Sequence, residues 1–193
     1  IAMVPVRKRP RVAFIPTGSE LVPQGFAPRR GENVDANSIM VKNLLIKMGA
    51  QPLMFPIVRD EPEPLRQALR RALASADIVI INAGTAKGSE DFTFRLLGEG
   101  RLIHHYVAAV PGRPMGLAVI DGKPVINLPG PTLGAFFGMD WCVRAVVYRF
   151  LHQPMPKRPT VEAVLTADLK TSPHLDNMCR MDIKRTASGY EAT

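Results

Sequence analysis

The stretch IVIINAG (78–84) runs without any alternation of apolar and polar positions. A strand with one wet face alternates with a period of two, whereas a strand covered on both faces reads as a continuous apolar run, the pattern of a central parallel strand. Parallel neighbours need long crossovers, usually helical, so this one segment already asks for helices before and after it.

The flanks supply them. RVAFIPTG (11–18) is a short apolar strand ending in a Thr-Gly turn, and Asp35 and Asn37 can cap the helix NSIMVKNLLIKMG, with Met40, Leu44, Leu45 and Met48 on one face and Gly49 as its stop. PLMFPIV (52–58) is the next strand and RDEPEP the turn after it. LRQALRRALASA then forms a helix with Leu65, Ala68, Leu69, Ala72 and Leu73 as its apolar stripe. Strands and helices alternate, which predicts an α/β fold: a three-layer sandwich around a mostly parallel sheet with right-handed crossovers. Further on, DFTFRLLGEG reads as a short helix, LIHHYVAAV as a strand, and GLAVIDGKPVINLPG as a hairpin turning at Asp121-Gly122. GPTLGAFFGMDWCVRAVVYRFL is a long helix, apolar nearly all round and expected to be well buried.

QPMPKRP (153–159) holds three prolines in seven residues and reads as a linker. The expected organisation is a connecting segment at 1–10, an α/β domain at 11–152, a linker at 153–158 and part of a small β domain at 159–193. Two or three strands in the last segment are too few for an independent sheet. The chain is therefore expected to be a fragment of something longer.

Its 193 residues, 46% hydrophobic, suffice for one full core with some length to spare. Cys142 and Cys179 are the only cysteines, far apart and without ligand-spaced neighbours, so neither a disulfide framework nor a structural zinc site is expected. No apolar stretch approaches the ~20 residues of a membrane span, and the start lacks a signal-peptide pattern. A soluble, cytoplasmic protein without membrane partners follows as the expectation. The net charge of +8 is concentrated locally, at Arg7–Arg11, Arg29–Arg30 and Arg66–Arg71, with no interleaved aromatics, so nucleic acid is not expected as a partner.

In open parallel sheets ligands bind beyond the carboxyl ends of the strands. PTGSEL (16–21), VRDEPEP (58–64), GTAKGSED (84–91), VPGRPMG (110–116) and LPGPTLG (128–134) occupy that position. Gly84 and Gly88 permit close backbone approach to an anion, Lys87 and Arg113 offer positive charge, and Glu20, Asp60, Glu61, Glu90 and Asp91 offer carboxylates able to hold a hydrated magnesium ion. Singly, each segment is an ordinary turn or helix cap. Together on one rim they suit a phosphorylated ligand carried with a divalent cation. The P-loop spacing, the dinucleotide Gly-x-Gly-x-x-Gly and the Gly-x-Ser-x-Gly elbow are absent.

The ordered set PTGSEL, ENVDANSIM, VRDEPEPL, INAGTAKGSEDFT, VPGRPMGLA and INLPGPTLGAFF resembles the molybdopterin molybdotransferase family, to which gephyrin belongs, over residues 10–152. The resemblance implies the fold shared with molybdopterin adenylyltransferases, and residues 159–193 resemble the start of the family's C-terminal β domain. It implies insertion of molybdate into adenylylated molybdopterin with release of AMP, assisted by magnesium. A homodimer is implied as well, with a molybdopterin adenylyltransferase as a possible upstream partner. Carried over by matching position, Glu20, Asp60 and Asp91 would be catalytic, with Asp60 and Asp91 organising the metal. Thr17, Gly18, Asn37, Gly84, Thr85, Lys87, Gly88, Pro111, Gly112, Arg113, Pro129, Gly130 and Pro131 would hold the ligand. The chain departs from the family's pattern in three places. Its Gly-Gly-x-Ser-x-Gly loop is AGTAKG, lysine positions hold Tyr106 and Val110, and Pro131 falls one place early. Loss of the lysines leaves open an alternative, a non-catalytic molybdopterin-binding or scaffold module.

Overall fold

Strand and helix alternate from Arg11 to Phe150. The computed structural model describes residues 3–83 and 89–193, and the side chains of all of these except 89–91. The first half comprises β1 (Arg11–Pro16), β2 (Leu21–Val22), β3 (Asn33–Val34), α1 (Asn37–Lys47), β4 (Gln51–Met54), α2 (Pro62–Ser75), β5 (Ile78–Ala83) and α3 (Ser89–Gly98). Next come β6 (Arg101–His105), β7 (Ala109–Val110), β8 (Gly116–Ile120), β9 (Lys123–Pro129), α4 (Thr132–Gly138), a π-helical turn (Met139–Val143) and α5 (Arg144–Phe150). Four short strands close the chain: β10 (Val164–Leu165), β11 (Asp176–Asn177), β12 (Ile183–Thr186) and β13 (Gly189–Ala192).

Six strands form one sheet in the order β4-β1-β5-β9-β8-β6. The first four are parallel, and β8 runs against both its neighbours. The unbroken apolar reading of β1 and β5 has a direct cause. Val12, Phe14, Ile78 and Ile80 point into one core with Val41 and Leu45 of α1 and Met139, Val143 and Val147 of the last helix. Ala13, Ile15, Val79 and Ile81 point into a second core with Leu65, Leu69 and Leu73 of α2 and Leu96 and Leu97 of α3. Both faces are covered, so neither set of alternate positions is polar. The stripe expected on α2 is buried at all five positions. On α1 the centre of the buried stripe is Val41 and Leu45, with Met40 and Leu44 at its margin. Gly49 ends that helix with φ +85°, and Asp121-Gly122 turns the β8–β9 hairpin with both φ values positive, as a two-residue hairpin loop requires.

Three expectations need correction. The strand expected over 102–110 is broken: β6 stops at His105, Tyr106 takes a left-handed φ of +63°, and the chain resumes as the two-residue β7. The strand expected over 52–58 keeps its regular ladder only to Met54, since Pro56 has no N–H to donate. Val58 rejoins the edge by donating to Pro16 O at 2.9 Å. The long last helix is buried along one face only: Leu133, Phe136 and Phe150 are 37–41% exposed. Its buried residues Ala135, Met139, Val143, Val147 and Leu151 recur every four positions. In a regular α-helix each such step drifts by about 40°, enough over the whole helix to carry Leu151 to the far side. The wider π turn at Met139–Val143 takes up part of that drift and keeps the stripe against the sheet.

Beyond the last helix, Arg158 pairs with Asp140, which also meets Arg144 Nε at 3.2 Å, so the proline-rich segment lies against the π turn. β10, β13 and β12 make a three-stranded sheet. β11 pairs in parallel with β7, which ties the closing segment to the α/β unit.

Candidate functional site

The sheet order places β1 beside both β4 and β5. The chain leaves β1 through α1 to β4 on one side, then crosses by α2 to β5 on the other. Between the carboxyl ends of β1 and β5 the connections therefore diverge, and an open α/β sheet has its natural crevice there. A cleft of about 380 Å³ occupies that point. Thr17 comes from the end of β1, Asn82 from β5, Gly130, Pro131 and Thr132 from the β9–α4 junction, and Asn37 from the first turn of α1.

The floor is a chain of amides. Asn82, 4% exposed, donates through Nδ2 to Pro129 O at 2.6 Å and Leu128 O at 3.3 Å. Its Oδ1 accepts from Asn37 Nδ2 at 2.8 Å, and the same Nδ2 donates to Gly130 O at 2.7 Å. Thr17 N–H donates to Asn82 O at 2.9 Å, and its hydroxyl donates to the same oxygen at 3.3 Å. Three strand ends and one helix start are thus joined by hydrogen bonds that the low-dielectric surroundings strengthen.

The wall opposite is formed by residues 20–36. Asn33 N–H donates to Glu20 O at 2.8 Å and Asp35 N–H to Val22 O at 3.0 Å, so the short β2–β3 pair carries the chain across the cleft mouth to α1. Asp35, buried, receives Ser38 N–H at Oδ1 at 3.0 Å and the Ser38 hydroxyl at Oδ2. Asp35 thus caps the first turn of α1 from the residue before the N-cap position Ala36, while Asn37 turns to the cleft floor. Gly18 is fixed by close packing: a Cβ there would lie 2.8 Å from Leu21 Cγ and 2.9 Å from Glu20 Oε2.

Of the residues expected at a site, Thr17, Glu20, Asn37, Gly130 and Pro131 line this cleft together. Gly18 lines a neighbouring cleft of about 720 Å³, which shares Leu21 and Asp35 with the first and adds Lys42 and Arg59. Asp60 sits behind the first turn: its Oδ2 accepts from Ser19 N–H at 3.3 Å, and its buried Oδ1 has no hydrogen-bond partner. Pro129 is buried beneath the floor as the last residue of β9. Pro111, Gly112 and Arg113 line neither cleft, and Gly112 packs on the Trp141 ring and beside Gly134 of α4. Arg113 is exposed. Gly84, Thr85, Lys87 and Gly88 lie outside the described residues, as does the side chain of Asp91. Among the described residues no group of three or more His, Cys, Asp or Glu side chains is arranged to hold a metal ion.

Asn82 was missed by the sequence reading, and it is central. Its signal was present, since an Asn in an otherwise apolar two-faced strand must find partners inside the protein. Asp35, expected as a cap, proves also to be a cleft residue. Tyr106, at one of the missing lysine positions, lies against His105 with the rings tilted by 47° and their centroids 4.0 Å apart, and His105 stacks on Phe94 at 3.7 Å.

Residues 13–149 match the family model described as "Probable molybdopterin binding domain". A molybdopterin molybdenumtransferase of Nostoc sp. is 37% identical over 132 residues, which is 66% of this chain and 30% of that protein. Molybdopterin molybdenumtransferase 2 of Mycobacterium tuberculosis is 32% identical over 180 residues, 90% of this chain and 44% of the relative. The chain thus spans less than half the length of these two relatives. A molybdopterin biosynthesis MoeA protein from Pyrococcus horikoshii OT3 superposes with a TM-score of 0.72 at 22% identity, covering 95% of this chain and 43% of that one, which shows a shared fold.

Proposed function

The chain belongs to the molybdopterin-binding domain family, and from that premise we propose that it is the substrate-binding core of an enzyme of molybdenum cofactor biosynthesis. That enzyme would insert molybdate into adenylylated molybdopterin and release AMP. The observation that carries the reading is the amide-lined cleft at the switch point, inside the matched residues. A planar heterocycle with hydrogen-bonding edges suits such a floor. The adjoining cleft, with Lys42 and Arg59, suits phosphate groups, so the two together fit a ligand with a heterocyclic head and a phosphorylated tail.

Magnesium fits as a bound partner of the substrate. Asp60 Oδ1 is an orphaned buried carboxylate oxygen, Glu20 lies in the cleft, and magnesium is held by one or two carboxylates plus substrate phosphates. When bound it would neutralise phosphate charge and ease departure of AMP. Glu20 and Asp60, with Asp91, would supply its protein oxygens, and Thr17 and Asn37 would orient the heterocycle. Lys87 would help gather the oxyanion. A homodimer, with further domains completing the site, and delivery of substrate by an adenylyltransferase belong to the same proposal. A second reading, binding without turnover, is favoured by Tyr106 and Val110 at positions where the family carries lysines.

The test is calorimetric titration with adenylylated molybdopterin, with and without magnesium, beside an AMP-release assay on adding molybdate. Magnesium-dependent binding that Glu20→Gln or Asp60→Asn weakens at least tenfold, about 1.4 kcal/mol, supports the site. Binding without AMP release, in the chain and in a full-length relative carrying the same two replacements of lysine, selects the second reading. Absence of binding sinks both.

A further inference from the structure

The orientation of the Asn82 amide is decided by its surroundings. Carbonyl oxygens only accept, so the edge of Asn82 that meets Leu128 O and Pro129 O is Nδ2. Its Oδ1 therefore faces Asn37 and takes one hydrogen of that residue's Nδ2, while Gly130 O takes the other. All four amide hydrogens are spent on oxygens. What remains is Asn37 Oδ1: the atom itself is buried and has no hydrogen-bond donor, and its residue lines the cleft. Rotating the Asn37 amide by half a turn would satisfy nothing, since it would set Oδ1 against Asn82 Oδ1 and Gly130 O, acceptor against acceptor. Asn82 thus holds one edge of Asn37 and leaves the other committed to accept.

We propose that Asn82 is a positioning residue that reserves the Asn37 carbonyl oxygen for an N–H of the ligand, so that the cleft selects an amino-bearing heterocycle edge over one that carries no such donor. This rests on the pterin reading above and deepens it: the 2-amino group of a pterin is the donor that the reserved oxygen would take. A ligand without the donor leaves a buried acceptor unpaired, and discrimination of this kind is larger than that from shape alone.

The test compares two simple ligands on the full chain, 2-amino-4-oxopteridine and 4-oxopteridine, which lacks the amino group. Their Kd values are read by quenching of pteridine fluorescence. Wild type should prefer the amino form by about tenfold or more, the loss expected for one buried unpaired acceptor. In Asn82→Leu, near in volume, Asn37 Nδ2 keeps only the Gly130 carbonyl of its two acceptors, so the amide is held less firmly and the preference should fall. Asn37→Leu removes the acceptor without touching β5 and should abolish the preference even if the Asn82 variant fails to fold. The ratio of the two affinities is the deciding readout, because a general loosening of the domain weakens both ligands alike. Equal binding of the two by wild type, or a preference that survives both replacements, overturns this inference and leaves the pterin reading standing. No binding of either ligand by wild type overturns the pterin reading, and the inference with it.

Discussion

Replacing Gly138 by alanine should destabilise the protein even though alanine is the better helix former. A Cβ on Gly138 would lie 2.6 Å from Leu128 Cδ2 and 3.2 Å from Met115 Sδ. Carbon atoms rest at about 3.5–4.0 Å, so the overlap with Leu128 is about 1 Å. Leu128 is fully buried and Met115 nearly so, which leaves neither an exit to solvent. In an open helix the change would stabilise by about 1 kcal/mol. Overpacking a closed core costs about 1–3 kcal/mol, so the net loss should be about 1 kcal/mol, or some 2–4 °C in Tm for a chain of this size. The sharper test is a double-mutant cycle in urea. Leu128→Ala alone should cost about 2–5 kcal/mol by opening a cavity. In the pair, the new methyl at 138 occupies space that Leu128 vacated, so the double variant should lose less stability than the sum of the singles, by about 1–2 kcal/mol. A Gly138→Ala protein as stable as wild type, or singles that add to within about 0.5 kcal/mol, would refute the claim that β9 and the last helix are held at glycine distance here.

Asp35→Ala removes the cap of α1 and should cost about 1–2 kcal/mol in urea unfolding, with ligand affinity falling as well because the same residue lines both clefts. Burial pushes the Cys142 thiol up to about 11 from an ordinary 9.0, so at pH 8 only about one molecule in a thousand carries its thiolate. Iodoacetamide should then label exposed Cys179 alone in the native protein and both cysteines in urea. The folded state holds that proton more tightly than the unfolded one. The associated stability is therefore complete below pH about 9 and lost as pH rises to about 11, a decline that Cys142→Val should flatten. Arg158→Ala should change global stability by less than about 1 kcal/mol, the pair being partly exposed, yet speed proteolysis between Gln153 and Thr160 by releasing that segment from Asp140.

The layers of the fold were legible because the signals behind them are local. The apolar runs of β1 and β5, the five-residue stripe of α2 and the Asp121-Gly122 turn each state their own structure. The break at Tyr106 was not legible, since nothing in LIHHYVAAV forbids a continuous strand and the left-handed turn is imposed by what packs around it. The last helix misled in another way: its apolar residues exceed what one sheet face can cover, and periodicity cannot say that Leu133 and Phe136 stay outside. Of the residues lining the cleft, Thr17, Glu20, Gly130 and Pro131 lie in loops that the sequence places at strand ends, and Asn37 was pointed to by the family resemblance. Asn82 was hidden within a strand, where its role depends on two carbonyl groups and one side-chain amide, each more than forty residues away in sequence. Gly112 lies against Trp141, a contact no local reading supplies.

The pairing of β7 with β11 also sets a clock. Ala108 O and Val110 O accept from Asp176 N–H at 2.7 Å and Met178 N–H at 2.8 Å. On a ribosome adding about 5–20 residues per second, the segment around Val110 emerges roughly 3–13 s before its partner strand exists. Through that interval its two carbonyl groups face water or a passing strand edge of another nascent chain. The α/β layers can close meanwhile from β1 to α5, leaving this loop as the last piece of the unit to take its final hydrogen bonds.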